Sequence, residues 1–200
     1  MKLIFATGNK GKLREAADIL GEGFELLCPA DFGITEDIPE TGSTLEENSI
    51  QKAEYIYART GMDCFADDTG LEVDCLDGAP GVYTARYAGP GCNFGDNMDK
   101  LLREMAKKGP SAPRTARFRT VVTLIKDGKR QIFEGVVEGR IATEKCGREG
   151  FGYDPVFLPD FPAGSEHAGK TFAEIPEHDK NAISHRGRSL RKMAAWLRGE

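Results

Sequence analysis

The chain has 200 residues, 40% hydrophobic and 30% charged, ordinary proportions for a soluble globular protein with room for a sizeable core. Its 27 basic residues face 32 acidic ones, a formal net charge of −5, which argues against wholesale binding to nucleic acid or an anionic membrane. No charged stretch leading into an apolar run opens the chain and no long apolar run follows, so a cytoplasmic protein is expected.

Lys2 to Ala6 reads as a buried strand. Thr7-Gly8-Asn9-Lys10-Gly11-Lys12 follows, then a helix with Leu13, Ala16, Ala17 and Leu20 at helical spacing. Strand, glycine loop and helix N-terminus together form an anion site, because free backbone N–H groups and the positive end of the helix dipole point at one place. Lys10 and Lys12 add charge there, and Asn9 a directional hydrogen bond. The spacing is not that of a Walker A loop, and a tight turn between strand and helix explains the two glycines equally well.

A second strand is expected near Phe24 to Cys28, followed by a polar loop. Ser43 and Glu46 have capping-box spacing and predict a helix start, with Leu45, Ser49, Ala53 and Ile56 on one side. Asn48 and Lys52, four apart, share another face. Glu40, just ahead, is either a surface acid favoured by the helix dipole or a metal ligand, and Lys52 either a solvated lysine or a phosphate ligand.

The most telling stretch is Phe65-Ala66-Asp67-Asp68-Thr69-Gly70, where an apolar strand delivers two carboxylates to an expected Thr-Gly turn. Hard oxygen ligands offered in this way suit Mg²⁺. Alternation along extended chain sends the two side chains to opposite faces, so one aspartate faces the metal and the other a supporting partner. A solvated acidic turn is the plain alternative.

Gly78 to Gly89 reads as a long loop that is functional or wraps a neighbour. Phe94, Met98, Leu101, Leu102 and Met105 mark an amphipathic helix stopped by Gly109-Pro110. Arg117 to Ile125 and Arg130 to Val137 read as strands joined by an Asp127-Gly128 hairpin turn, with Arg114, Arg117 and Arg119 as a basic strip or simply an exposed strand face. Phe151-Gly152-Tyr153-Asp154-Pro155 suits a slot for a planar ring, or aromatics packed at a strand entrance. A terminal helix carries Leu190, Met193, Ala194 and Leu197 as its core face. Five cysteines, at 28, 64, 75, 92 and 146, include no Cys-x-x-Cys pair, and the three histidines are scattered, so reduced structural thiols are expected.

Five collinear blocks, Thr7 to Lys12, Glu40-Thr41-Gly42, Ala66 to Leu71, Phe151 to Pro155 and Ser184-His185-Arg186-Gly187, closely resemble the noncanonical purine NTP pyrophosphatases, the inosine triphosphate pyrophosphatase family. Gly78 to Gly81 and Ala85 to Tyr87 are similar to its bacterial members. The resemblance implies one domain over residues 1–200, an elongated two-lobed α/β fold around a central mixed β-sheet with a cleft between the lobes, and a homodimer. It implies Mg²⁺-dependent hydrolysis of ITP, dITP and XTP to the monophosphate and pyrophosphate, which cleanses the nucleotide pool. Carried over residue by residue, Thr7, Gly8, Asn9, Lys10, Gly11 and Lys12 bind the triphosphate, with Lys52 a further phosphate contact. Asp68 is metal ligand and proton acceptor, and Glu40 the second metal ligand. Thr69 contacts substrate where serine is commoner in the family. Phe151, Gly152, Tyr153, Asp154, Lys180, His185 and Arg186 contact the nucleotide. Two rivals remain: a pyrophosphatase with another base preference, opposed by the His-Arg block, and a nucleic-acid-binding protein using the terminal helix, which leaves the two aspartates unexplained.

Overall fold

Leu3, Ile4 and Phe5 are all fully buried, because the strand that carries them has a core on each face. The computed structural model describes residues 1–91, 93–147, 150–162 and 164–200; Cys92 lies outside them. Strand β1 (Lys2–Phe5) pairs in parallel with β2 (Glu25–Leu27) and with β3 (Cys64–Val73). Helix α1 (Lys10–Leu20) follows β1, and α2 (Leu45–Thr60) precedes β3. β4 (Pro80–Gly81) pairs antiparallel with β3, and α3 (Phe94–Lys107) comes next. β5 (Thr115–Lys126) and β6 (Lys129–Ile141) are joined at Asp127 and Gly128, both at positive φ (49° and 73°), the backbone that the Asp-Gly pair favours. β7 (Phe157–Pro159) pairs antiparallel with β6, and α4 (Glu177–Ile183) and α5 (His185–Arg198) close the described chain. The strand order is β2-β1-β3-β5-β6-β7, with β4 also on β3, a mixed sheet in an α/β protein.

The chain divides into two compact units. The first is Met1–Thr69, Thr120–Gly135 and Ser184–Glu200. In it, alternation along β1 and β3 feeds two cores: Leu3, Phe5 and Phe65 pack with Ala16 and Leu20 of α1 and Leu190 and Met193 of α5, whereas Ile4, Cys64 and Ala66 pack with Ala53 and Ile56 of α2. The second unit, Gly70–Arg119 and Val136–Ile183, has its own core around Leu71, Met98, Leu101, Phe118, Phe157 and Phe172. Among the described residues no helix is long and apolar enough to cross a membrane.

Three local expectations change. β3 runs unbroken through Thr69 and Gly70, so the Asp-Asp pair sits inside a strand rather than at a turn. Helix α2 is capped by Thr44, whose hydroxyl accepts the Glu47 N–H at 3.1 Å, one residue later than the Ser43–Glu46 spacing suggests. The side chain of Glu47 instead turns back to the Ser43 N–H and hydroxyl. The long loop after Gly78 contains β4 and a short 3₁₀ turn at Thr84–Arg86. Arg117 and Arg119 are paired with Glu72, and Arg117 also with Asp74 and Glu138, while Arg114 donates to the Ile141 and Ala142 carbonyls, so the basic strip is largely engaged within the protein.

Candidate active site

Alternation along β3 decides where its two aspartates go. Asp67, two residues on from Phe65, keeps the face that packs on α1 and α5; Asp68, two on from Ala66, keeps the face on α2. Their partners follow from those faces. Asp67 Oδ1 accepts from Lys12 Nζ at 3.0 Å, and its Oδ2 accepts from Arg186 Nε at 3.0 Å. Arg186 Nη1 in turn donates to the Glu15 carboxylate. Glu15, Arg186, Asp67 and Lys12 are thus a chain of alternating charge drawn from α1, β3 and α5. Burial would push the Asp67 carboxyl up, but Lys12, Arg186 and Lys52 outweigh it and hold it well below the usual carboxylate range. Burial pulls Lys12 down against the pull of Asp67.

On the other face, Asp68 Oδ1 accepts from Lys52 Nζ at 3.1 Å and its Oδ2 from Asn48 Nδ2 at 3.2 Å. The same Lys52 ammonium donates to Glu40 Oε1. Burial pushes the Asp68 carboxyl up; Lys52 pulls it back and Glu40 pushes it further, and the balance lies above the usual range. For Lys52, the carboxylates of Asp68, Asp67 and Glu40 overcome the effect of burial and raise its pKa. Two carboxylate oxygens therefore converge on one cationic point. Hard oxygen donors, two in number, fit Mg²⁺, which takes few protein ligands and keeps positions for water and substrate phosphate. Among the described residues no group of three or more His, Cys, Asp or Glu is placed to hold a metal, so the fit rests on Glu40 and Asp68.

The expected phosphate loop lies where β1 meets α1. Asn9 caps the helix: its Oδ1 accepts the N–H groups of Gly11 at 2.8 Å and Lys12 at 3.1 Å, so that oxygen serves the backbone. Thr7 Oγ1 accepts the Asn9 N–H at 3.1 Å. Gly8, Lys10 and Gly11 are exposed. A cavity of about 810 Å³ in this first unit is lined by Thr7, Lys10, Lys12, Glu40, Lys52 and Asp67, among others. Thr69 shares a 2.7 Å hydroxyl–hydroxyl hydrogen bond with Thr120. Ser184 caps α5 by accepting the Gly187 N–H at 3.0 Å, which places His185 and Arg186, both buried, in its first turn.

Phe151, Gly152, Tyr153, Asp154 and Lys180 meet in the second unit. Asp154 Oδ2 accepts from Lys180 Nζ at 2.6 Å and from the Phe151 N–H at 2.8 Å. The Lys180 ammonium stands 4.9 Å from the centre of the Phe151 ring, within cation–π range. Phe151 is 41% exposed, whereas Tyr153 is 2% exposed, sits in the core and donates its hydroxyl to Thr84 O. The exposed ring in this segment is therefore Phe151; Tyr153 offers no open face, because its ring completes the core. Sequence patterns alone do not single out Glu15 or the role of Asn48. Glu15 reads as one more acid on an amphipathic helix, while the spacing of Asn48 to Lys52 marks their shared face without revealing a partner.

The sequence model of the Ham1 family matches residues 3–196. The chain is 48% identical over 197 residues to a protein of Flavobacterium johnsoniae named dITP/XTP pyrophosphatase, covering 98% of each. Among solved structures it is similar to a HAM1 protein from Coxiella burnetii, with TM-score 0.88, 36% identity and full coverage of both chains. A nucleoside-triphosphatase, dITP/XTP pyrophosphatase, from Mycobacterium abscessus has TM-score 0.76 and 37% identity, over 96% of this chain and 98% of that one.

Proposed function

From its membership of the Ham1 family, to which this chain belongs, we infer that the protein hydrolyses noncanonical purine nucleoside triphosphates such as dITP, XTP and ITP, releasing pyrophosphate and the monophosphate. Both compact units make up one pyrophosphatase domain in this reading. The observation that carries the chemistry is the convergence of Asp68 and Glu40 on the Lys52 ammonium, with Glu40 and Lys52 lining one cavity together with Thr7, Lys10 and Lys12.

Glu40 and Asp68 would hold Mg²⁺, which when bound neutralises phosphate charge and acts as a Lewis acid. Thr7, Gly8, Asn9, Lys10, Gly11 and Lys12 bind the triphosphate through ammonium charge and the positive end of the α1 dipole, since the Gly11 and Lys12 N–H groups are taken by Asn9 Oδ1. Asp68 takes the proton of the attacking water as general base. Lys52 and Lys12, fixed by carboxylate partners, offset charge that develops on the phosphate oxygens without having to reorganise. Thr69, His185 and Arg186 supply further substrate contacts in the first unit. Phe151 offers the ring for stacking on the purine and Lys180 a donor, with Gly152, Tyr153 and Asp154 shaping the turn that holds them. Mg²⁺ as the metal is supported by the donor set; the homodimer rests on the family resemblance, and the cytoplasmic location on the sequence expectation.

The test is incubation with dITP, XTP, GTP and ATP plus Mg²⁺, with orthophosphate and pyrophosphate assayed separately. Pyrophosphate should appear first, from dITP and XTP. Orthophosphate appearing first would overturn the proposed cleavage position.

A further inference from the structure

The segment that carries Glu40 does not simply lead into α2; it is hung along the helix. Four consecutive residues meet four α2 side chains in reverse order. Glu40 accepts from Lys52, the Thr41 N–H donates to Gln51 Oε1 at 2.9 Å, the Gly42 N–H to Asn48 Oδ1 at 2.8 Å and the Ser43 N–H to Glu47 Oε2 at 2.7 Å. Positions 47, 48, 51 and 52 are one face of a helix, so an extended strip laid against that face meets them in turn. Two of the four, Lys52 and Asn48, also reach Asp68.

Lys52 is already assigned to phosphate. We propose that Asn48 is the positioning residue of this site: it sets Asp68 against the Glu40 segment by holding one with its amide nitrogen and the other with its amide oxygen. Asn48 is 1% exposed, so neither bond can be replaced by bulk water. Its orientation is dictated by its partners, since the Gly42 N–H can only donate and a carboxylate can only accept. The fit at Gly42 is close: a Cβ there would stand 2.8 Å from Asn48 Oδ1 and 2.6 Å from Glu47 Cβ, so only glycine lets the strip approach. A neutral amide suits the task. It gives Asp68 Oδ2 a donor without placing a second ammonium beside Lys52, and so leaves the charge balance of the carboxylate pair to Lys52.

The inference rests on the assignment of Asp68 and Glu40 as the reacting pair, and two variants separate it from that assignment. Asn48→Asp keeps the volume and the acceptor for the Gly42 N–H but replaces the amide donor to Asp68 with a second carboxylate beside it. Asn48→Ala loses both. Gln51→Ala is the control, because Gln51 holds Thr41 without touching Asp68. The readouts are kcat and KM for dITP with Mg²⁺, and hydrogen exchange of the Thr41, Gly42 and Ser43 amides in the nucleotide-free protein.

Loss of an outer partner of a metal-site ligand typically lowers activity about 10–100-fold. The expected result is a fall of that size in kcat for Asn48→Asp, with KM within about 3-fold and Gly42 exchange unchanged. Asn48→Ala should show the same fall together with faster Gly42 exchange, and Gln51→Ala should keep wild-type kcat. Wild-type kcat in Asn48→Asp, or an equal loss in Gln51→Ala, overturns the role of Asn48 while the reaction stands. Should Asn48→Ala fail to fold, Asn48→Asp alone decides. A wild-type protein that releases no pyrophosphate from dITP overturns the underlying assignment, and this inference with it.

Discussion

Arg186, in the first turn of α5, and Asp67, inside β3, form an ion pair with 3.0 Å between Nε and Oδ2 and only 2% of either side chain exposed. Neither charge would be tolerated at that depth alone. Asp67 is bracketed by Lys12 and Arg186, and Arg186 by Asp67 and Glu15, so positive and negative groups alternate across three elements. Asp68, its neighbour in sequence, belongs to a different set of partners with a different balance of charge.

This network should govern acid stability. Asp67 has a depressed pKa in the folded protein, against about 3.9 in an unfolded chain. Its stabilising contribution is therefore fully present above about pH 4 and is lost as the pH falls further, through the depressed value. Arg186→Ala, which leaves Asp67 and Glu15 short of a partner, should cost about 3–5 kcal/mol at pH 7. Asp67→Asn should also lower the melting temperature at pH 7, and its gap to wild type should narrow below pH 4. Thermal melts from pH 2.5 to 7 check both; a gap independent of pH would show that Asp67 is not the titrating group.

The two aspartates should differ in turnover. Asp68→Asn keeps the shape of the side chain while removing the proton acceptor and one charge of the pair, so kcat for dITP should drop by about 10²–10⁴ with the circular dichroism spectrum intact. Asp67→Asn should lose less, because its carboxylate acts through Lys12. If Asp67→Asn proves the more damaging, the roles within the pair are reversed.

Lys52 should resist conservative replacement. Its ammonium serves Glu40 and Asp68 from one point, and the planar fork of an arginine cannot occupy that point with the same geometry. Lys52→Met should lower kcat by about 10²–10³, the scale seen when one preorganised donor is removed, and Lys52→Arg should recover little of it. Steady-state kinetics with dITP measure both, and full recovery by arginine would reduce Lys52 to a source of charge alone.

Base choice should separate His185 from Arg186. Hypoxanthine and xanthine present an acceptor oxygen where adenine presents a donor amino group, and a buried mismatch of that kind can be worth roughly 10⁴ in discrimination. Because the Arg186 guanidinium is engaged by Asp67 and Glu15, Arg186→Ala should depress dITP and dATP turnover together. His185→Ala should narrow the dITP-to-dATP ratio, chiefly through loss of dITP activity. Rates for both substrates with each variant decide this; a ratio that moves only in Arg186→Ala would place base reading on the arginine.

Local pattern is enough for much of the frame. The spacing of Leu13, Ala16 and Leu20 marks α1, that of Met98, Leu101 and Met105 marks α3, and Asp127-Gly128 marks the β5–β6 turn, because each depends on residues within a few positions of one another. Alternation likewise assigns Asp67 and Asp68 to opposite faces, since it needs only their adjacency on extended chain. Who receives each carboxylate is another matter. Lys12 lies 55 residues from Asp67 and Arg186 lies 119 away, and no local periodicity encodes a meeting over that distance. The same reason hides Glu15 and Asn48, polar positions on amphipathic helices whose burial and partners come only from packing. The choice of Thr44 over Ser43 as cap, and of Phe151 over Tyr153 as the exposed ring, also depends on what packs alongside. The sequence determined which faces the charged groups occupy, through the periods of helix and strand; the tertiary structure decided which charges meet, since pairing across elements is set by packing rather than by spacing.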